Sequence, residues 1–281
     1  MANAVATQKQ KKTGIATYLA NDAVKKNIMS VIGEKNTTKF VSSVVSAVQT
    51  NPALAECTNG SILSAALLGE ALQLSPSPQL GQFYMVPYKN KGVSEAQFQL
   101  GAKGYKQLAI RSGQYKRIVT SVVKEGELKS FNPITEEYIF EPIMDMATRE
   151  KLPVIGYYAA FELLNGFKKE LYWSKEKMQS HAQRYSNGYR SDLKKGTSYT
   201  FWSKDFDGMA EKTMIRQLIS KWGIMSIDMQ KAFESDMGIV REDGTVEYAD
   251  NVVDIEAEVK EEIAENANAK ELIIDESEVF E

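Results

Sequence analysis

The chain has 281 residues, of which 43% are hydrophobic and 10% aromatic, so it can bury a sizeable core without covalent cross-links. Its single cysteine, Cys57, excludes an internal disulfide, and the absence of apolar runs of roughly 18 residues excludes a membrane-spanning helix. We therefore expect a cytoplasmic protein without a membrane partner.

Charge is distributed unevenly along the chain. Residues 241–281 contain 15 acidic and 3 basic residues, a net charge of −12, whereas residues 1–240 contain 31 Lys or Arg and 22 Asp or Glu, a net charge of +9. A basic body with an acidic tail is typical of proteins that handle nucleic acid. A soluble domain with a solvating acidic tail would have the same pattern, so charge alone leaves both interpretations open.

The spacing of apolar residues and turn residues predicts the secondary structure. In chain order the predicted elements are helices over residues 38–49 and 61–74, strands over 83–88 and 96–100, a helix over 102–112, a strand over 115–124, a hairpin of strands 154–164 and 167–173, and helices over 174–184, 202–222 and 226–235. Ser61 and Ser174 are predicted N-caps, Gly113 is predicted to end a helix, and Asn165-Gly166 is predicted to form the hairpin turn. Residues 186–199 are predicted to be a loop with a mobile or binding role.

This order of elements predicts an α+β fold. A central antiparallel sheet is expected in the middle of the chain, flanked by the helices that precede and follow it. We expect a disordered basic arm over residues 1–14, a folded domain over 15–240 and an acidic, largely disordered tail over 241–281.

Several kinds of catalytic chemistry are missing from the sequence. The one histidine, His181, excludes a multi-histidine zinc site, and it is expected to be an ordinary surface residue. No glycine-rich loop ends in Gly-Lys-Ser or Gly-Lys-Thr, so we expect no nucleotide cofactor. Asp205, Asp207 and Glu211 lie near Lys212, as in metal nucleases, but helix capping and solvation explain these carboxylates more simply. We therefore expect a protein that is not an enzyme and holds no metal.

The predicted helix over residues 102–112 has a basic side. Lys103 and Lys106 lie one turn apart on this side, and the free N–H groups of the helix N-terminus are close to Lys103. Such a side can bind phosphates, although a solvated basic helix face would have the same spacing.

The predicted helix over residues 202–222 also combines an apolar stripe with cations. Lys212 and Arg216 are one turn apart, and Lys204 lies two turns before Lys212. The nearby aromatic residues are Tyr185, Tyr189, Tyr199, Phe201 and Trp202. Aromatic side chains interleaved with cations are typical of proteins that bind single strands, and Tyr189 and Trp202 are the candidates for base stacking. Most of these rings would be core residues if the helix only packs.

Both segments resemble the motifs of a known family. The stretch QFQLGAKGYKQLAIRSGQY, from Gln97 to Tyr115, and the stretch from Trp202 to Ala232, with MAEKTMIR and IDMQKA, resemble RecT-type single-strand annealing proteins. The shorter motifs LQLSP at residues 72–76, VPY at 86–88 and VKEGE at 123–127 fit the same family. The resemblance runs in order from about residue 38 to residue 232.

The resemblance implies a function that composition and spacing do not reach. Members of this family are phage or prophage proteins of bacterial cells that bind single-stranded DNA, anneal it without nucleotide into duplex, and form rings or helical filaments. A partner exonuclease usually supplies the single strand, and the acidic tail would be the place to contact a host single-strand-binding protein. Their core is an α+β fold related to other annealing proteins, with the DNA backbone in a basic groove. By matched motif, the expected DNA contacts are Gln97, Gln99, Lys103, Lys106, Lys212 and Arg216, together with Arg117, Lys124 and Lys204.

Three other functions remain open at this level. A protein that protects single strands without annealing them would share the basic and aromatic segments. A metal-dependent nuclease would use the carboxylates beside Lys212, and a sheet-based RNA-binding module would use the predicted strands.

Overall fold

The computed structural model of the chain describes residues 13–77, 79–90, 92–132, 134–241 and 243–247. These described residues belong to one compact unit. Residues 1–12 of the predicted basic arm and residues 248–281 of the predicted acidic tail lie outside the described residues, so the expected disorder of both segments stays a prediction.

The N-terminal part of the described chain is helical. Its elements are α1 (Ile15–Leu19), α2 (Asp22–Ile32), α3 (Glu34–Thr50), a 3-10 helix (Pro52–Glu56) and α4 (Asn59–Ala71). The prediction that Ser61 caps α4 is wrong, because Thr58 is the cap and its hydroxyl accepts the N–H of Ser61 at 3.4 Å. The Ser61 hydroxyl instead accepts the backbone N–H of Ala96 at 2.8 Å and so ties α4 to the next strand pair.

A hairpin and a helix follow α4. Strands β1 (Phe83–Asn90) and β2 (Val93–Leu100) pair antiparallel from Phe83 opposite Leu100 to Asn90 opposite Val93. Gly92 has a φ of +90°, which suits the two-residue turn between the strands. Helix α5 (Ala102–Arg111) comes next, and Gly113 follows its end with a φ of +68°, as predicted.

The second strand group is a three-stranded antiparallel sheet in the order β3-β6-β7. Its strands are β3 (Tyr115–Lys124), β6 (Val154–Leu163) and β7 (Lys168–Ser174), and Gly166 in the β6–β7 turn has a φ of +88°. Strands β4 (Leu128–Asn132) and β5 (Glu137–Phe140) and helix α6 (Met146–Lys151), which were not predicted, form an insertion between β3 and β6. The α+β class with antiparallel pairing is confirmed, but within the described residues β1–β2 and β3-β6-β7 are separate sheets and not one central sheet.

The helices after β7 differ from the prediction in two places. They are α7 (Lys175–Tyr185), α8 (Asn187–Lys195), α9 (Phe201–Lys204), α10 (Phe206–Trp222) and α11 (Ile227–Ser235). The predicted loop over residues 186–199 is wrong for most of its length, because Ser186 caps α8 and Gly196 ends it with a φ of +64°. The predicted long helix from residue 202 is broken at Asp205, whose carboxylate accepts the N–H of Gly208 at 3.0 Å and caps α10.

The core lies where α10 packs across β6 and its two neighbouring strands. Ala210, Met214 and Leu218, three members of the predicted apolar stripe, are fully buried there. They meet the side of the sheet that carries Tyr157 and Phe161, which are also buried. Burying a side chain such as Met214 or Leu218 stabilises the fold by about 1.5–3 kcal/mol. This layer therefore fixes the position of α10 and of the other side chains on that helix.

The C-terminal part of the described chain pairs with β2. Gly238 forms an antiparallel bridge with Phe98, and strands β8 (Ile239–Val240) and β9 (Val246–Glu247) make a short hairpin. The predicted tail over residues 241–281 thus includes the strand Val246–Glu247 near its start, and its largely disordered state stays a prediction. No helix in the described part of the chain is long and apolar enough to cross a membrane.

Candidate nucleic-acid interface

Tyr84 is the residue around which several predicted contacts meet. Its neighbours in β1, Phe83 and Met85, are buried with exposed fractions of 0% and 5%, so Tyr84 lies on the opposite face of the hairpin. Gln99 is directly opposite Tyr84 in the β1–β2 register and therefore shares that face. Sequence reasoning did not select Tyr84, although its alternation with two apolar neighbours was a usable signal.

Glycines bring the start of α5 close to the segment before β1. The N–H of Gly101 donates to the carbonyl of Gln82 at 2.8 Å. A Cβ on Gly104 would lie 2.0 Å from that same carbonyl oxygen, so only glycine fits at this position. A Cβ on Gly81 would lie 3.0 Å from the Tyr84 hydroxyl and 3.6 Å from Cδ of Lys103, so both side chains pass over Gly81. Lys103 is thus exposed beside Tyr84.

Helix α9 reaches the same place from the other half of the chain. The rings of Phe201 and Tyr84 are 5.9 Å apart between centroids, and Lys204 at the end of α9 is exposed. Burial, and then the negative charge of Asp205, raise the pKa of Tyr84, which keeps its hydroxyl protonated. We call Tyr84, Gln99, Lys103, Phe201 and Lys204 the aromatic–basic surface. It joins an amide, two ammonium groups and two rings from four elements.

Lys212 and Arg216 lie in a different environment from Lys103. The Lys212 ammonium is 3.3 Å from Oδ1 of Asp236, and Nε of Arg216 is 3.7 Å from Oδ2 of the same carboxylate. Asp236 is fully buried and also accepts the Tyr105 hydroxyl at 2.6 Å and the Leu100 N–H at 2.7 Å. Burial lowers the pKa of Lys212, while the Asp236 charge opposes this shift. Both cations lie mostly inside the protein, and their contact with DNA stays a prediction.

The remaining predicted contacts are spread over β2, α5 and β3. Gln97 is only 4% exposed and accepts a hydrogen bond from Gln99 at 3.4 Å. The Lys106 ammonium donates to the Thr120 hydroxyl at 2.7 Å. Arg117 is exposed near the start of β3, whereas the Lys124 ammonium at its end donates to a backbone carbonyl at 2.8 Å. Arg117 and Lys124 are separated by about 23 Å of strand, so the structure does not bring them together.

The two proposed stacking residues are buried. Tyr189 and Trp202 are each 8% exposed, and their ring centroids lie 6.1 Å and 5.2 Å from that of Phe206. They pack in the core between α8 and α10, and their contact with bases stays untested.

His181 is not the ordinary surface residue that was expected. It is partly buried between Trp173 and Tyr185, and burial, followed by the charge of Arg216, lowers its pKa to about 4.

The carboxylates beside Lys212 each have a structural partner. Asp205 caps α10, Asp207 accepts the Tyr157 hydroxyl at 2.7 Å, and Glu211 accepts the Thr120 hydroxyl at 2.8 Å. Among the described residues, no group of three His, Cys, Asp or Glu side chains is arranged to hold a metal ion. Capping and hydrogen bonding therefore account for these three residues.

Comparisons with known proteins point to one family. The sequence model of the RecT family matches residues 38–262 of the chain. The uncharacterized protein YqaK of Bacillus subtilis (strain 168) is 40% identical over 232 residues, which cover 83% of the chain and 73% of YqaK. Protein RecT of Escherichia coli (strain K12) is 27% identical over 249 residues, which cover 86% of each protein. The matched residues include the whole aromatic–basic surface.

Proposed function

This chain belongs to the RecT family, and on that premise we propose that it binds single-stranded DNA and anneals complementary strands without a nucleotide. Membership confirms the resemblance carried by residues 97–115 and 202–232 and implies single-strand annealing in recombination. The proposal has three more specific components. Annealing does not require ATP, the DNA backbone lies in a basic groove, and the protein acts as an oligomer.

The aromatic–basic surface carries the proposal. Gln99, Lys103 and Lys204 were selected as DNA contacts from the sequence, where Lys103 and Lys204 are about a hundred residues apart. Gln99 and Lys103 lie beside Tyr84, and Lys204 ends the helix whose Phe201 ring contacts Tyr84. The ammonium groups of Lys103 and Lys204 are both exposed, which supports contact with phosphates. A backbone held by phosphate contacts leaves base edges free to pair, which annealing requires.

Annealing without a nucleotide is physically consistent. Each base-pair step formed releases about 1.4 kcal/mol, so pairing proceeds downhill once two strands are aligned. The barrier arises from repulsion between phosphates and from the search for register. A surface with a net positive charge reduces the repulsion between phosphates. The excess of cations over residues 1–240 supplies that charge.

Oligomerisation is part of the proposal, and the β4–β5 hairpin is its best-supported interface. Ile134, in the turn of this hairpin, and Ile139 in β5 are 91% and 61% exposed. The opposite side of the hairpin is fixed to the sheet, because the Phe140 ring lies 5.1 Å from that of Tyr158. Exposed apolar side chains on an anchored hairpin favour a protein partner, and we assign that partner to a second copy of this chain in a ring or filament.

Two further partners are proposed from the family alone. An exonuclease would generate the single strand, and a host single-strand-binding protein would contact the acidic tail. The net charge of −12 over residues 241–281 is compatible with a basic partner surface, but residues 248–281 lie outside the described residues.

The test is the pairing rate of two complementary oligonucleotides, with and without the protein, in EDTA and without nucleotide. An annealing protein increases this rate, whereas a protein that only protects single strands decreases it. Intact labelled DNA after incubation with magnesium excludes the nuclease alternative. Equal-length RNA and DNA competitors separate the proposal from an RNA-binding module.

A further inference from the structure

Two aromatic residues beside the buried pair Tyr189 and Trp202 face solvent. Tyr199 is 79% exposed and Phe201 is 47% exposed. They are separated by one residue and flank Thr200, which caps α9. Large rings at the surface lack the free energy that burial supplies. A pair of exposed rings beside cations therefore indicates a binding site for a ligand.

The segment that presents these rings is fixed by Asp192. This carboxylate is 4% exposed and accepts the N–H groups of Tyr199 at 3.0 Å and Thr200 at 2.8 Å. It also accepts the hydroxyls of Thr197 at 2.7 Å, Thr200 at 2.8 Å and Ser203 at 2.7 Å. Hydrogen bonds from Thr200 and its neighbours lower the pKa of Asp192, so it remains ionised at physiological pH. The rings therefore sit on a preorganised segment, and binding would lose little conformational entropy.

The surroundings of the rings are cationic. Lys194 and Lys195 in the last turn of α8 and Lys204 at the end of α9 are exposed close to them in sequence. Phe201 also contacts Tyr84 of the aromatic–basic surface. Rings between ammonium groups match a ligand that carries both planar bases and phosphates, and they match an apolar protein surface poorly.

We propose that Tyr199 and Phe201 form a stacking platform for unpaired bases of single-stranded DNA. This inference rests on the proposed function and extends it, because the predicted contacts around Lys103 hold the backbone whereas the platform holds base faces. Stacking uses the π-face that every base has, so the platform gives no sequence preference. A base stacked there is held unpaired while its neighbours along the strand remain free to pair.

The experiment compares two oligonucleotides with the same number of phosphates, oligothymidylate and a strand in which every second nucleotide is abasic. Affinity is measured by fluorescence anisotropy for the wild type and for the variant Tyr199→Ala with Phe201→Ala. We expect the wild type to prefer the complete strand about tenfold and the double variant to lose that preference. The salt dependence should stay unchanged, because it reports phosphate contacts.

Two further variants control for folding and for the ring. Tyr199→Phe keeps the ring and should keep the preference, and Phe167→Ala removes a 45% exposed ring from the β6–β7 turn and should have no effect on it. Equal wild-type affinity for both strands, or a preference retained by the double variant, overturns the platform. If the wild-type protein binds neither strand, the proposed function itself is wrong. This outcome is distinct from equal affinity for both strands, which contradicts only the platform.

Discussion

The carboxylate of Asp236 and the ammonium of Lys212 lie 3.3 Å apart inside the protein, 24 residues apart in the chain. Asp236 directly follows α11, Lys212 belongs to α10, and the same carboxylate accepts the N–H of Leu100 at the end of β2. The pair thus fastens two helices to the hairpin that carries Tyr84 and Gln99. Its role in the free protein is to position that hairpin.

Removing the charge of Asp236 should destabilise the fold. Asp236→Asn leaves the Lys212 ammonium buried without its carboxylate, and breaking a buried pair in this way costs about 3–5 kcal/mol. Urea unfolding of the variant should show this loss, whereas Glu234→Gln at an exposed position of α11 should change little. The double variant Asp236→Asn with Lys212→Met should recover part of the stability. Wild-type stability of Asp236→Asn would contradict this account.

The close approach of α5 to the segment before β1 should be sensitive to a single methyl group. Gly104→Ala would place Cβ 2.0 Å from the Gln82 carbonyl oxygen, which is backbone and cannot rotate away. We expect a loss of about 1–3 kcal/mol in unfolding free energy, with weaker binding to single-stranded DNA because Lys103 moves. Gly14→Ala, with no atom within 4 Å of the added Cβ, is the matched control. Identical urea midpoints for the two variants would contradict the close contact between Gly104 of α5 and the Gln82 carbonyl.

His181 should make stability depend on pH in the acid range. Its pKa is lowered to about 4 in the folded protein by burial and by Arg216, against an ordinary value of 6.5. The unfolded chain therefore binds a proton first, and folding free energy is lost as pH falls from about 6.5 to about 4, by up to about 3 kcal/mol. His181→Gln should lack this part of the loss. The measurement is unfolding free energy against pH for both proteins, and parallel curves would refute the assignment.

Local signals predicted the strands of the β3-β6-β7 sheet well. Asn165-Gly166 and the run Tyr115–Lys124 fixed a hairpin and a strand whose observed bounds match within one residue. Hairpin turns and β-branched runs depend on neighbours in sequence, so sequence alone carries this information. Helix α8 was missed because its polar composition and Gly188 resemble a loop, whereas the cap by Ser186 and the end at Gly196 determine it.

The surroundings of the predicted site residues could be anticipated from the sequence only in part. Helical periodicity placed Lys103 outward, and it is exposed. The burial of Lys212 depends on Asp236, whose position after α11 no local pattern reveals. Trp202 is buried and Phe201 is exposed, because the break at Asp205 turns α9 independently of α10. Contacts between distant segments decided each of these outcomes.

The β4–β5 hairpin should control assembly. Ile134→Lys with Ile139→Lys places two charges on its exposed apolar side chains. We expect association to weaken by more than about 100-fold, since two buried side chains together contribute about 3–6 kcal/mol. Mass photometry would show smaller assemblies while thermal unfolding of the subunit stays nearly unchanged. Val31→Lys, at a position of α2 that is 56% exposed, is the control. Assemblies of wild-type size in the double variant would place the interface elsewhere.

The measurement that tests the central claim most directly is the pairing rate of complementary oligonucleotides with the variant Lys103→Ala plus Lys204→Ala, in EDTA and without nucleotide. The control is Lys25→Ala plus Lys26→Ala, which removes the same charge from exposed positions of α2. We predict that the wild type and the control accelerate pairing and that the first variant does so about tenfold less. Its binding should also depend less on salt, with a slope lower by about 1.4, because each lost phosphate contact on a single strand removes about 0.7. Pairing that the wild type does not accelerate, or equal rates for the two double variants, would contradict annealing through this surface.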